Sequence, residues 1–149
     1  MESSGPRRLN HKEMGERSEA IVLGRLVQAG YTMLKPFGEN QRYDMVIEDA
    51  DRKFWRVQCK TAWLENDGSI LVFSACSNHY AYAWKKETMY MKNYKGEVEF
   101  FAVYSPDLDK VYLIPIDHVN ANQPYLRLEP PKNNQTKNIR WAKDYELVL

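Results

Sequence analysis

Tyr43-Asp44-Met45-Val46-Ile47, then Asp49-Ala50-Asp51, then Phe54-Trp55-Arg56-Val57-Gln58-Cys59-Lys60-Thr61-Ala62 read as a strand, a turn and a longer strand. Both runs are rich in apolar and β-branched residues, and the turn is made of small and acidic ones. In the longer run, apolar Val57 and Cys59 alternate with polar Gln58 and Lys60. Side chains two positions apart leave the same face of a strand. Gln58 and Lys60 therefore project together, about 7 Å apart, opposite Val57 and Cys59. Asp44 stands in the neighbouring strand among Tyr43, Met45 and Ile47. Removing a lone carboxylate from water is costly, so Asp44 there calls for a cation or a metal. The plainer reading of Lys60 is a lysine on a solvent-facing strand surface.

Upstream, residues 13–29 carry a helical pattern. Ala20, Leu23 and Val27 fall on one stripe with Leu26 beside it, and Gly30 ends the helix. Glu19 borders this stripe and is expected to face the sheet edge. Glu16 is a rival, though a first-turn glutamate is also favoured by the helix dipole alone. Residues 1–12 are polar and basic and read as a flexible arm, which leaves 13–149 as a single domain.

Residues 31–34 read as a short strand, 36–41 as a loop and 69–73 as a third strand completing a meander against the helix. The stretch 74–96 fits no single period; we read 80–91 as a helix. Residues 98–104 and 111–115 form a hairpin through Ser105-Pro106-Asp107-Leu108-Asp109. A polar loop over 132–138 precedes a return to the core at Ile139-Arg140-Trp141. The order of helix, strands, helix and strands predicts an α/β (α+β) domain, a central mixed sheet flanked by helices.

Composition excludes several classes. The chain is 44% hydrophobic and 13% aromatic, which is the make-up of a packed domain rather than a disordered one. No apolar run approaches the roughly 20 residues of a membrane span, and residues 1–10 lack a signal-peptide core. Only Cys59 and Cys76 occur, so a disulfide framework is not expected and a reducing cytoplasm is. The net charge of +1 gives no global basic signature, but metal-binding carboxylates would offset lysines in that sum. None of the histidines has zinc-site spacing and no glycine-rich phosphate loop is present.

These polar residues suit phosphodiester hydrolysis. That chemistry needs oxygen ligands for a divalent metal, with Mg²⁺ preferring carboxylates, carbonyls and waters. It also needs a cation near the attacking water or the phosphate. Asp44 would be the primary ligand, Glu19 a direct or water-mediated one, Gln58 a neutral oxygen donor and the Cys59 backbone carbonyl a further one. Lys60 would position or polarise the water.

The same residues resemble the PD-(D/E)XK nuclease superfamily. The likeness covers residues 13–145 and is closer to the small bacterial group I intron homing endonucleases of that fold. It is carried by Gly15 and Glu19 of a Gly-x-x-x-Glu helix motif, by Lys35-Pro36-Phe37-Gly38-Glu39-Asn40-Gln41-Arg42-Tyr43-Asp44, by Arg56-Val57-Gln58-Cys59-Lys60 and by Tyr112-Leu113-Ile114-Pro115. Two positions depart from the superfamily pattern. Tyr43 stands where a proline precedes the motif aspartate, and Gln58 stands at the acidic position, where the homing subgroup also looks to use glutamine. The resemblance implies a restriction-endonuclease-like core with Glu19, Asp44, Gln58 and Lys60 as catalytic residues. It implies Mg²⁺ (with Mn²⁺ substituting), double-stranded DNA as partner, and a homodimer or homotetramer cutting at a defined site. A four-way junction resolvase and a catalytically degenerate DNA-binding module remain alternatives.

Base-edge contacts would come from Asn40, Gln41 and Arg42 ahead of Asp44, and from Asn78. Phosphate contacts would come from Lys132, Lys137 and Arg140. Trp63, Trp84 and Trp141 read as packing residues. Basic pairs such as Lys85-Lys86 more often mark a solvated face than a contact.

Overall fold

The computed structural model describes residues 4–83 and 86–149, apart from the side chains of 79–88. Met1 to Ser3 of the expected arm, Trp84 and Lys85 lie outside the described residues. The first helix, α1 (His11–Gln28), begins earlier than its apolar stripe suggests. A capping box sets the start: Asn10 accepts from the Glu13 amide while Glu13 accepts from the Asn10 amide. Arg7 is ion-paired with Glu13 ahead of that first turn.

The buried stripe of α1 is Ser18, Val22 and Leu26, whereas Ala20 and Val27 are exposed. The stripe is therefore displaced from the expected Ala20, Leu23 and Val27. Ser18 explains the displacement. Its hydroxyl lies 2.5 Å from Thr61 Oγ1, so a polar residue holds a core position that an apolar pattern cannot reveal.

Five strands form the central sheet: β1 (Thr32–Leu34), β2 (Met45–Glu48), β3 (Phe54–Thr61), β4 (Phe100–Ser105) and β5 (Lys110–Pro115), paired in that order. β1–β2–β3 and β4–β5 are antiparallel, and β3 runs parallel to β4. The expected mixed sheet is thus present. The turn from β2 to β3 is built by Asp49. Its Oδ1 accepts from the Asp51 and Lys53 amides and its Oδ2 accepts from the Trp55 indole at 2.8 Å.

Two apolar clusters cover the two sheet faces. Val22 and Leu26 of α1 pack on Met45, Ile47, Val57, Cys59, Ala102 and Tyr104. Phe101, Val103, Tyr112 and Ile114 pack on the opposite side with Phe73, Tyr94, Leu126 and Ala142. β4 alternates between the clusters and is buried on both faces, which is why 100–104 reads as one continuous apolar run.

Two expectations are corrected. Residues 69–73 do not complete the meander. β6 (Ile70–Val72) lies in a separate sheet between β7 (Trp63–Glu65) and β8 (Tyr125–Arg127). The chain leaves the central sheet after Thr61 and turns through Asn66 and Asp67, both at positive φ, and Gly68 at φ 80°. The helix read over 80–91 is a β-hairpin instead: β9 (Ser77–Ala83) pairs antiparallel with β10 (Lys86–Lys92) as a two-stranded sheet. Among the described residues α1 is consequently the sole α-helix, with two short 3₁₀ turns, Ile116–His118 and Ala142–Asp144. The expected return to the core holds, through a bridge of Trp141 to Arg127 and the burial of Ala142. No described helix is long and apolar enough to cross a membrane.

Candidate active site

The antiparallel register of β2 and β3 pairs Met45 with Val57. Continuing it by one residue sets Asp44 across from Gln58, and the Asp44 amide donates to the Val57 carbonyl at 2.9 Å. Residues opposite one another in a sheet share a face. Gln58 and Lys60 lie on the face carrying Phe101 and Val103, their partners on β4, while Val57 and Cys59 enter the helix-side cluster. The alternation expected from the sequence is therefore the one observed.

β2 begins at Met45 and its ladder with β3 starts at the Met45–Val57 pair, so the Cys59 amide lies beyond the paired residues and needs an acceptor. Asp44 supplies one through its side chain: the Cys59 N–H donates to Asp44 Oδ2 at 2.8 Å. Burial nevertheless raises the Asp44 carboxyl above its usual range, against the lowering effect of that hydrogen bond. The Glu19 charge raises it further, and Lys35 and Lys60 counter only in part. Burial, with the Asp44 and Glu19 charges, also lifts the Cys59 thiol well above its ordinary value. Cys59 is accordingly a neutral packing residue. Both cysteines are buried and free, as expected.

Glu19 is half-buried on α1 and ion-paired with Lys35, the residue that follows β1. This matches its expected position at the sheet edge and adds Lys35, which the resemblance covered without giving it a role. Lys60 does not ion-pair with Asp44. Its ammonium donates to the Cys76 carbonyl at 3.2 Å and to the Tyr94 hydroxyl at 3.3 Å. The structure thus brings together Glu19 from the middle of α1, Lys35 just after β1, Asp44 just before β2, and Gln58, Cys59 and Lys60 near the end of β3.

The donor set consists of two carboxylates, an amide oxygen and a backbone carbonyl. All are hard oxygen ligands of the kind Mg²⁺ takes. The Asp44 carboxyl is raised chiefly by burial and only secondarily by the Glu19 charge. Among the described residues, no three of His, Cys, Asp and Glu gather as a metal cluster.

The remaining expected contact residues are spread out. Asn40 and Gln41 are exposed on the loop that enters Asp44, beside Phe37, which is fully exposed. Arg42 is turned inward. Its Nε donates to Glu97 Oε2 at 2.6 Å, its other nitrogens donate to Ser77 Oγ and the Asn93 carbonyl, and its guanidinium stacks 3.9 Å from the Tyr94 ring centroid. Asn78 is exposed on β9. Lys132 and Lys137 are exposed on their loop, while Arg140 donates to the Tyr145 hydroxyl at 3.1 Å.

A sequence model of the family described as PD-(D/E)XK endonuclease matches residues 9–148. The fold is similar to that of a bacterial homing endonuclease, I-Ssp6803I, with a TM-score of 0.70 and 18% sequence identity. That similarity covers 93% of this chain and 89% of the other. No curated protein matches the sequence.

Proposed function

Because the chain belongs to the PD-(D/E)XK endonuclease family, we propose that it is a divalent-metal-dependent endodeoxyribonuclease that cuts double-stranded DNA at a defined site, in the manner of a homing enzyme. One observation carries this reading: the half-buried Asp44 carboxylate, held by the Cys59 amide, beside Glu19 and, by extension of the β2–β3 register, across from Gln58.

Asp44, Glu19, Gln58 and the Cys59 carbonyl would hold Mg²⁺, or Mn²⁺ in its place. The ion would neutralise charge on the scissile phosphate and activate water. The protein's own part is to orient and to charge. The Cys59 amide fixes Asp44, and Lys35 holds the Glu19 carboxylate at the mouth of the site. Lys60 presents a cation to the water or the phosphate. Asn40 and Gln41 reach base edges from the exposed entry loop, with Phe37 at its tip. Asn78, Lys132, Lys137 and Arg140 supply the outer contacts. A double-strand break needs one such site for each strand, so the active form is a homodimer or homotetramer working in the cytoplasm.

Cleavage of a randomised long-duplex library and of a four-way junction, with Mg²⁺ or Mn²⁺, tests this reading. Cutting at one linear sequence is the expected result. Preferred cutting of the junction would make the protein a resolvase. The neutral Gln58 at the acidic position favours a second reading, a degenerate module that binds DNA without cutting it. Metal titration by calorimetry separates the two, since such a module would show no Mg²⁺ site that depends on Asp44.

A further inference from the structure

Lys60 is held by the root of a hairpin. Its two acceptors, the Cys76 carbonyl and the Tyr94 hydroxyl, flank β9 and β10 on the sequence and meet over β3. Arg42 ties the same root from the entry loop, through Ser77 Oγ and the Asn93 carbonyl. Tyr94 is common to both cations. Its ring is 3% exposed and packs edge-on against Phe101 at 5.6 Å, so it cannot swing aside without opening the core. The Arg42 guanidinium lies 3.9 Å from the ring centroid, over the face. The Lys60 ammonium lies over the same ring, 4.9 Å from the centroid, and donates to the hydroxyl at 3.3 Å.

A lysine side chain has a flexible stem with several rotatable bonds, and without acceptors its ammonium samples a wide volume. Two acceptors on a rigid frame remove that freedom. We propose that Tyr94 is the positioning residue for Lys60: its hydroxyl, with the Cys76 carbonyl, fixes the ammonium for the reaction, and the hairpin root is the frame that carries both. The proposal rests on the nuclease reading for its consequence in catalysis, though the holding itself does not depend on that reading. Tyr94 touches neither DNA nor the reacting atoms; it acts through Lys60.

Tyr94→Phe keeps the ring against Phe101 and beneath Arg42 and deletes only the hydroxyl. Two readouts test it. The first is the single-turnover cleavage rate with DNA affinity measured in Ca²⁺. The expected result is a rate lowered roughly ten- to a hundredfold with affinity and Tm unchanged, the split that misplacement of a catalytic group produces. The second needs no activity: the ¹⁵N–¹H signal of the Lys60 ammonium, assigned by its loss in Lys60→Ala. It should be sharp in the wild type and broadened in Tyr94→Phe as its protons exchange faster with water. An unchanged signal together with an unchanged rate overturns the proposal. A fall in rate matched by falls in Tm and affinity would reduce Tyr94 to a packing residue and overturn it too. A broadened signal in a protein whose wild type cuts no DNA would sink the nuclease reading, and with it the part of Tyr94 in cleavage, while confirming the holding of Lys60.

Discussion

Asp44 Oδ2 lies 2.8 Å from the Cys59 nitrogen, so the side chain of one strand completes the hydrogen bonding of the next. The bond helps a half-buried carboxylate to be tolerated just ahead of β2. Its energetic consequence is measurable. The folded-state carboxyl is raised above its ordinary value of 3.8, chiefly by burial, so the native state binds the Asp44 proton more tightly than the unfolded chain does. Stability attributable to Asp44 is therefore full below pH 3.8 and is lost as pH rises through the raised folded value. At neutral pH the ionised group is a net burden.

Asp44→Asn should accordingly stabilise the metal-free protein at pH 7 by about 1 kcal/mol, since the amide oxygen can still accept from Cys59. In a domain of this size that is a Tm gain of roughly 2–4 °C. The same variant should lose cleavage and should no longer gain Tm on adding Mg²⁺. Thermal melts with and without Mg²⁺ check both halves. A drop in metal-free Tm would show that the carboxylate is stabilising.

Lys60→Ala removes the cation and leaves the acid ligands in place. Loss of one preorganised charge-stabilising donor typically slows an enzyme 10²–10³-fold. We expect a fall of that order in single-turnover cleavage with little change in the dissociation constant for DNA. Retained cleavage would remove Lys60 from the chemistry.

Gln58→Glu places a third carboxylate across from Asp44. Without metal, the added like charge should lower Tm and push the Asp44 carboxyl further up. With metal, the extra charged ligand should reduce the Mg²⁺ needed for half-maximal activity by roughly tenfold, about 1.4 kcal/mol. Melting and cleavage titrations against Mg²⁺ report the two effects with opposite signs. An unchanged Mg²⁺ requirement would place Gln58 outside the metal's reach.

Much of this was legible in the sequence because it is local. The face shared by Gln58 and Lys60 follows from the strand period, and the turn before Phe54 follows from Asp49. The hairpin of 98–104 and 111–115 followed from two apolar runs and the turn residues between them. What stayed hidden depends on tertiary contacts. Ser18 occupies the core stripe only because Thr61 meets its hydroxyl. The run 80–91 falls in a ribbon whose two strands pair only with each other, a partnership that no local spacing announces. Lys35 and Tyr94 meet Glu19 and Lys60 only in the fold, and no spacing rule connects either pair.

Arg42 is where the two levels of reading diverge most, and one variant separates them. Its place on the entry loop suggested contact with bases. In the fold its guanidinium bonds to Glu97, Ser77 and Asn93 and stacks on Tyr94, and the Arg42 and Glu97 side chains are 22% and 28% exposed. Hydrogen bonds between charged groups that are partly removed from water are worth more than surface pairs. Arg42→Ala should therefore cost about 2 kcal/mol, a Tm loss of roughly 4–8 °C. It should also loosen the hairpin root and slow cleavage through Lys60. If Arg42 reads bases instead, the loss will appear in sequence discrimination, with Tm unmoved. Melting the variant and measuring its affinity for target and scrambled duplexes in Ca²⁺ distinguishes the two. A normal Tm with relaxed specificity would assign Arg42 to DNA rather than to the frame.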